Sequence, residues 1–143
     1  MKLSRYIDHT LLAPQATATQ ITQLCDEARE HDFFAVCVNP ARVRQAKAAL
    51  AGTAVKVCTV IDFPLGADTS AVKAFAARDA VENGADELDM VMNIGLAKDG
   101  NWAAVQADIA AVVQAAAGRA LVKVMDGSYV RPLRCGQVVE DEE

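Results

Sequence analysis

Two charged residues interrupt stretches that are otherwise apolar. Asp89 lies between Leu88 and Met90 in ELDMVMN, and Lys123 lies between Val122 and Val124 in LVKV. A charge taken out of water without a partner is strongly disfavoured, so each residue must find a counter-charge or face a wet pocket. If these runs are β-strands, side-chain alternation places Glu87, Asp89, Val91 and Asn93 on one face and Leu88, Met90 and Met92 on the other. Neighbouring strands would then bring Asp89 and Lys123 together as an ion pair. A carboxylate and an amine in a desolvated pocket shift each other's proton affinity, which suits proton transfer or carbonyl chemistry. The same pair could equally do no more than satisfy itself inside a sheet.

Other polar residues gather where strands should end. Asn39 precedes Pro40, Asp62 precedes Phe63-Pro64 and Asn93 precedes Ile94-Gly95, at the strand-to-helix turns where α/β folds place their sites. Asn, Asp and Pro also favour turns for local reasons. Asp8-His9-Thr10, in YIDHTLLAP, reads as a capping or turn segment ahead of the first helix. The loop FPLGADTS leads into a helix N-terminus that could receive an anion. It lacks the glycine spacing of a dinucleotide or P-loop site, and no GxSxG nucleophile motif occurs. Cys25, Cys37, Cys58 and Cys135 stand far apart, with no CxxC and no nearby His pair, so zinc binding and a disulfide framework are both disfavoured. Cys37 and Cys58 sit in apolar runs, where a thiol behaves as a small hydrophobe.

The elements that must position these residues alternate regularly. Short β-branched runs at 33–39, 55–62, 87–93 and 120–125 are separated by alanine-rich stretches of helical period at 19–31, 40–51, 70–83 and 101–117. The last helix carries Trp102, Val105, Ile109, Val112 and Ala116 on one stripe. Thr17 with Gln20, and Thr69 or Ser70, offer N-caps, while Gly52, Gly84 and Gly118 fall just past helix ends. Crossovers of this length imply parallel pairing, either as an open doubly wound sheet or as a β/α barrel. The missing glycine-rich first turn disfavours a small doubly wound ligand-binding domain.

The chain has 143 residues, 52% of them hydrophobic, enough for one real core. Its net charge of −5 and lack of a basic cluster argue against a nucleic-acid surface. No apolar run approaches the roughly 18 residues of a membrane span, and the N-terminus has no signal-peptide pattern, so the sequence predicts a cytoplasmic protein.

The motifs YIDHTLLAP, FFAVCVNP, VKVCTVIDFPLGADTS, NGADELDMVMNIGLAKDGNW and LVKV resemble, in order, the first half of the deoxyribose-phosphate aldolase family of class I aldolases. The resemblance implies a TIM-barrel-type fold. It also implies reversible cleavage of 2-deoxyribose 5-phosphate to glyceraldehyde 3-phosphate and acetaldehyde through a lysine Schiff base, without a metal or other cofactor, in deoxyribonucleotide catabolism. Asp89 then matches a proton-relay residue, and Lys123 a supporting pocket lysine that is not the Schiff-base nucleophile. Cys37 matches a thiol near the substrate aldehyde, and Asp8 and Thr10 an N-terminal segment at the pocket; Asn39 belongs to the polar rim.

The match runs through residues 1–125, about four strands of a half or truncated barrel. The segment 126–143 carries two arginines and five acids, a net charge of −3, and no further βα pattern. The motifs for the Schiff-base lysine and the phosphate loops do not occur, so weak or absent retro-aldol activity is expected of the chain alone. A half-barrel also leaves strand edges and an inner face open, which predicts a homodimer or a tail folded over that face. The alternative is a non-catalytic half-barrel that serves as a binding or interaction module.

Overall fold

A computed structural model describes residues 2–127. Five parallel strands form one sheet in the order β1-β2-β3-β4-β5: β1 (Asp8–Leu11), β2 (Ala35–Val38), β3 (Lys56–Ile61), β4 (Glu87–Val91) and β5 (Leu121–Met125). Between them run α1 (Ala18–His31), α2 (Val43–Ala49), α3 (Ser70–Glu82), α4 (Ile94–Lys98) and α5 (Trp102–Ala116). The strand order never reverses, so the sheet has no topological switch point and is wound as in a β/α barrel, not as in a doubly wound fold.

The sequence reading places four of the strands and corrects in a few places. Among the described residues five strands are present rather than about four, because Asp8-His9-Thr10 is not a turn but most of β1, paired in register with Ala35–Val38. A four-residue edge strand with a polar first half gives little alternation to detect. The helix expected over 40–51 splits into a 3₁₀ turn at Pro40–Arg42 and the shorter α2, and 94–98 forms an additional short helix. Trp102 leaves the proposed stripe and is 61% exposed at the first turn of α5, whereas Val105, Val112 and Ala116 are buried.

Local signals explain where the helices begin and end. Thr17 accepts from the backbone N–H of Gln20 while the Gln20 side chain accepts from the Thr17 N–H, a reciprocal cap at the head of α1. Thr69 rather than Ser70 caps α3, and Asn93 and Asn101 cap α4 and α5. Gly66 is required where it stands. Its φ is +65°, and a Cβ there would lie 2.2 Å from the Met92 carbonyl oxygen, so the β3–α3 turn can press against the end of β4 only without a side chain.

The two faces of the sheet have different chemistry. The main core lies between sheet and helices, where Val36, Val38, Val57, Ile61, Leu88 and Met90 pack against Ile21, Leu24, Val43, Ala77, Ala80 and Val112. The opposite, inner face carries a smaller cluster of Ala35, Cys37, Cys58 and Val60, bordered by Leu12, Phe34 and Met125. Register fixes that face: Thr10, Cys37, Cys58, Glu87 and Leu121 lie side by side across the sheet, and Val60, Asp89 and Lys123 form the next row.

Candidate functional site

The inner face converges on the Lys123 ammonium. Its Nζ lies 2.8 Å from Asp8 Oδ2, 2.9 Å from Glu87 Oε2 and 3.1 Å from Asp89 Oδ1. Asp89 and Lys123 are direct cross-strand partners on β4 and β5, the neighbour relation expected from the sequence, and Asp8 reaches the same ammonium from β1. Glu87 was legible on the Asp89 face by alternation but not as a member of the site; its side chain is 6% exposed and its Cα lies two residues before Asp89 on β4.

Only the bond from Lys123 to Asp8 has hydrogen-bond geometry. Glu87 Oε2 and Asp89 Oδ1 are buried at ion-pair distance from Nζ, without an aligned donor among the described residues. Three carboxylates thus share one cation and leave two acceptor oxygens unmet, which is a site with spare capacity rather than a closed pair. Burial lowers the proton affinity of Lys123, but the hydrogen bond to Asp8 and the close carboxylates of Glu87 and Asp89 outweigh it and raise its pKa above the ordinary lysine value. Lys123 therefore stays an ammonium, able to donate protons in hydrogen bonds and to stabilise negative charge, but poorly nucleophilic.

Beside this cluster, Cys37 and Cys58 face each other from β2 and β3. Its hydrogen bond with Cys37, its burial and the nearby Asp89 charge all push the Cys58 pKa up, so Cys58 is a thiol and not a thiolate. An open cleft of about 340 Å³, lined by Arg5, Tyr6, Asp8, Phe34, Glu87, Leu121 and Lys123, gives solvent access to the ammonium.

The other residues singled out from the sequence stand apart from Lys123. Thr10 is exposed, and its hydroxyl donates to the Asp8 carbonyl at 2.8 Å. Asn39 donates to the Leu12 carbonyl at 2.9 Å and borders a separate cleft with Leu11, Pro14, Ile21 and Arg42 at the carboxyl end of β1 and β2. Asn93 caps α4, accepting from the Leu96 N–H at 3.0 Å, and Asp62 accepts from the Asp68 N–H at 2.9 Å. The polar rim is therefore made of groups whose hydrogen bonds shape the turns.

A second charged cluster lies in the helical layer. Lys73 of α3 is fully buried; its Nζ is 2.6 Å from Asp108 Oδ2 of α5, donates to the carbonyls of Gly66 at 3.0 Å and Val91 at 3.1 Å, and lies 3.4 Å from Asp62 Oδ2. Ser70 donates to the other Asp108 oxygen at 2.7 Å. This network holds the β3–α3 turn and the end of β4, the strand that carries Asp89. A signal for it existed: Lys73 falls on the stripe of Ala77 and Ala80, and Asp108 on that of Val105 and Val112, each a charge at an apolar helical position.

Comparisons with known proteins agree with this architecture. A family model described as "DeoC/LacD family aldolase" matches residues 3–143. Curated relatives include a deoxyribose-phosphate aldolase of Streptococcus pneumoniae (strain P1031), 61% identical over 125 residues that make up 87% of this chain and 56% of the relative. The chain thus spans a little over half the length of the curated relatives it matches. Among solved structures, a candidate deoxyribose-phosphate aldolase from Coccidioides immitis superposes with a TM-score of 0.85 at 42% identity, covering 87% of this chain and 49% of that one. The deoxyribose phosphate aldolase of Aeropyrum pernix gives a TM-score of 0.80 at 33% identity, covering 89% and 53%. With a β/α-barrel winding, an inward-facing lysine–carboxylate cluster and a family match along nearly all its length, this chain belongs to the DeoC/LacD aldolase family.

Proposed function

We propose that this chain forms the Asp89–Lys123 side of an aldolase pocket that takes 2-deoxyribose 5-phosphate or a similar phosphorylated sugar, and that it serves deoxyribonucleotide breakdown in the cytoplasm. The observation that carries this reading is the Lys123 ammonium, held at 2.8–3.1 Å from three carboxylates on the inner face of the sheet. The relatives named deoxyribose-phosphate aldolase supply the substrate class. In this role Asp89 moves a proton to and from the carbon beside the carbonyl, and the protonated Lys123 steadies the negative charge that develops there. Cys37 borders the aldehyde end of the pocket, and Asp8 orients Lys123 through its hydrogen bond.

A retro-aldol step through an iminium needs an unprotonated amine. Lys123 does not meet that need, because its carboxylate partners raise its pKa. Lys73 lies on the other side of the sheet, fully buried in the helical layer with its Nζ taken up by Asp108 and the Gly66 and Val91 carbonyls, out of reach of this pocket. The chain on its own is therefore weakly active or inactive in cleavage. The non-catalytic binding-module reading draws no support from the comparisons.

Borohydride reduction in the presence of 2-deoxyribose 5-phosphate, followed by mass spectrometry of peptides, tests the lysine's role. No adduct on Lys123 is expected, and a stoichiometric one would make Lys123 the nucleophile. Calorimetric titration with the same sugar phosphate tests the pocket: saturable binding weakened in Asp89→Asn is expected, and binding that is absent or indifferent to this change overturns the reading.

A further inference from the structure

A cleft of about 250 Å³ lies away from the inner face, at the carboxyl ends of β1 and β2. Leu11, Ala13, Pro14, Ile21, Asn39 and Arg42 line it, and Ala16 and Ala41 complete the lining. Ala16 and Ile21 belong to the core between sheet and helices, and Leu11 and Ala13 pack against it, so the cleft opens on the helical side of the sheet. It shares no residue with the cluster around Lys123. From this arrangement we infer a binding site for a short aliphatic monocarboxylate, with its carboxylate on Arg42 and its hydrocarbon chain against Leu11, Pro14 and Ile21.

Arg42 supplies the charge. Its guanidinium is protonated at any working pH, and its side chain is half-buried. Nη2 donates to the Ala16 carbonyl at 2.8 Å and Nη1 to Gln45 Oε1 at 3.4 Å, both of them neutral acceptors. Among the described residues no carboxylate lies at ion-pair distance from Arg42, whereas Arg5 and Arg29 each have one. A cation partly withdrawn from water and lacking a counter-charge favours an anion brought by a ligand. The two neutral bonds fix the fork before that ligand arrives, which lowers the ordering cost of binding.

The lining selects the kind of anion. Arg42 is the one charged residue in it, and Asn39 spends its amide N–H on the Leu12 carbonyl at 2.9 Å. A single guanidinium matches a planar monocarboxylate through paired hydrogen bonds. A phosphate dianion would meet the same single cation and leave its other oxygens against alkyl groups. The volume is below the roughly 300–1,000 Å³ of sites for drug-sized ligands, so the chain must be short. The inference does not rest on sugar-phosphate cleavage, since its readout is binding at a separate place.

Calorimetric titration of the full chain with pentanoate, acetate, 1-pentanol and inorganic phosphate is the test. We expect saturable binding of pentanoate with a Kd of about 1 mM. Acetate, which lacks the chain, and pentanol, which lacks the charge, each bind at least roughly 10-fold more weakly, as does phosphate. Arg42→Gln weakens pentanoate by roughly 10-fold or more and removes its advantage over pentanol. Ala41→Leu, at an exposed position that lines the cleft, narrows it and weakens pentanoate without touching the guanidinium. Arg44→Gln, on α2 outside the cleft, leaves the affinity unchanged. Should Arg42→Gln not fold, Ala41→Leu and the comparison of the four ligands carry the test. No saturation by about 50 mM pentanoate, acetate or phosphate binding as tightly as pentanoate, or an affinity indifferent to Arg42→Gln or Ala41→Leu overturns the site.

Discussion

Lys73 and Lys123 are both inward-facing lysines ringed by carboxylates, and they lie on opposite sides of the same sheet. Around Lys73 each acceptor is used: Asp108 takes bonds from Lys73 and Ser70, and the Gly66 and Val91 carbonyls complete the ammonium's shell. Around Lys123 the carboxylates outnumber the cation, two of their oxygens lack aligned donors, and a cleft opens beside them. A saturated, sealed network specifies a structure, whereas an unsaturated, accessible one can bind or move protons. Burial alone would have ranked Lys73 first as a functional lysine. The state of its hydrogen bonds assigns it to the scaffold.

The comparison breaks most sharply at Lys73. Lys73→Met leaves Asp108 and Asp62 buried without their cation and is expected to cost about 3–5 kcal/mol, read as a loss of midpoint in urea unfolding. A loss below about 1 kcal/mol would mean that the network is not the clamp described. Gly66→Ala attacks the same clamp through the backbone. The left-handed φ alone costs about 1–2 kcal/mol, and the contact with the Met92 carbonyl adds to it, so a fall in thermal midpoint between those of the two lysine variants is expected.

Lys123→Met should be milder despite removing the same charge. Its side chain is 35% exposed, and the adjoining cleft lets water reach the carboxylates once the ammonium is gone, so about 1 kcal/mol is expected at neutral pH. In the unaltered protein the raised Lys123 pKa means that its contribution is whole below the usual lysine value of 10.5 and is lost only as pH climbs through the raised value. A stability profile that declines between pH 7 and 9 in the wild type but not in Lys123→Met would contradict this.

The smallest effect belongs to the half-buried single pair of His9 and Glu27 at 2.7 Å on the rim of β1 and α1. The hydrogen bond from His9, then that from Gln23, lowers the Glu27 pKa. Its contribution is therefore present above the usual carboxylate value of 4.5 and lost as pH falls through the lowered one. His9→Gln should leave the unfolding midpoint nearly unchanged at pH 7; a shift as large as that of Lys123→Met would show that the number of carboxylates around the cation does not separate these sites.

Much of the site was legible because a charge inside an apolar strand run is conspicuous. Asp89 and Lys123 broke the pattern of β4 and β5, and the rule that consecutive βα units are neighbours placed them side by side. Asp8 was put at the pocket by the family resemblance alone; its own surroundings read as a turn, since β1 is four residues long and its partner β2 lies 27 residues onward in register. Lys73 and Asp108 were hidden by alanine-rich helices, in which an isolated charge reads as a solvated face until the helix it packs against is known.

By itself the sequence determined the alternation of strands and helices, the parallel pairing, the helix caps and the inward Asp89–Lys123 pair. All of these follow from local periodicity and nearest-neighbour rules. Tertiary structure alone decided the single direction of winding, the arrival of Asp8 and Glu87 at the same ammonium, the Lys73–Asp108 clamp, and the meeting of Cys37 and Cys58 across β2 and β3. The physical reason is register. Which residues share a row of the sheet, and which helix face covers which turn, depends on how far each strand slides along its neighbour, and no local pattern in the chain encodes that shift.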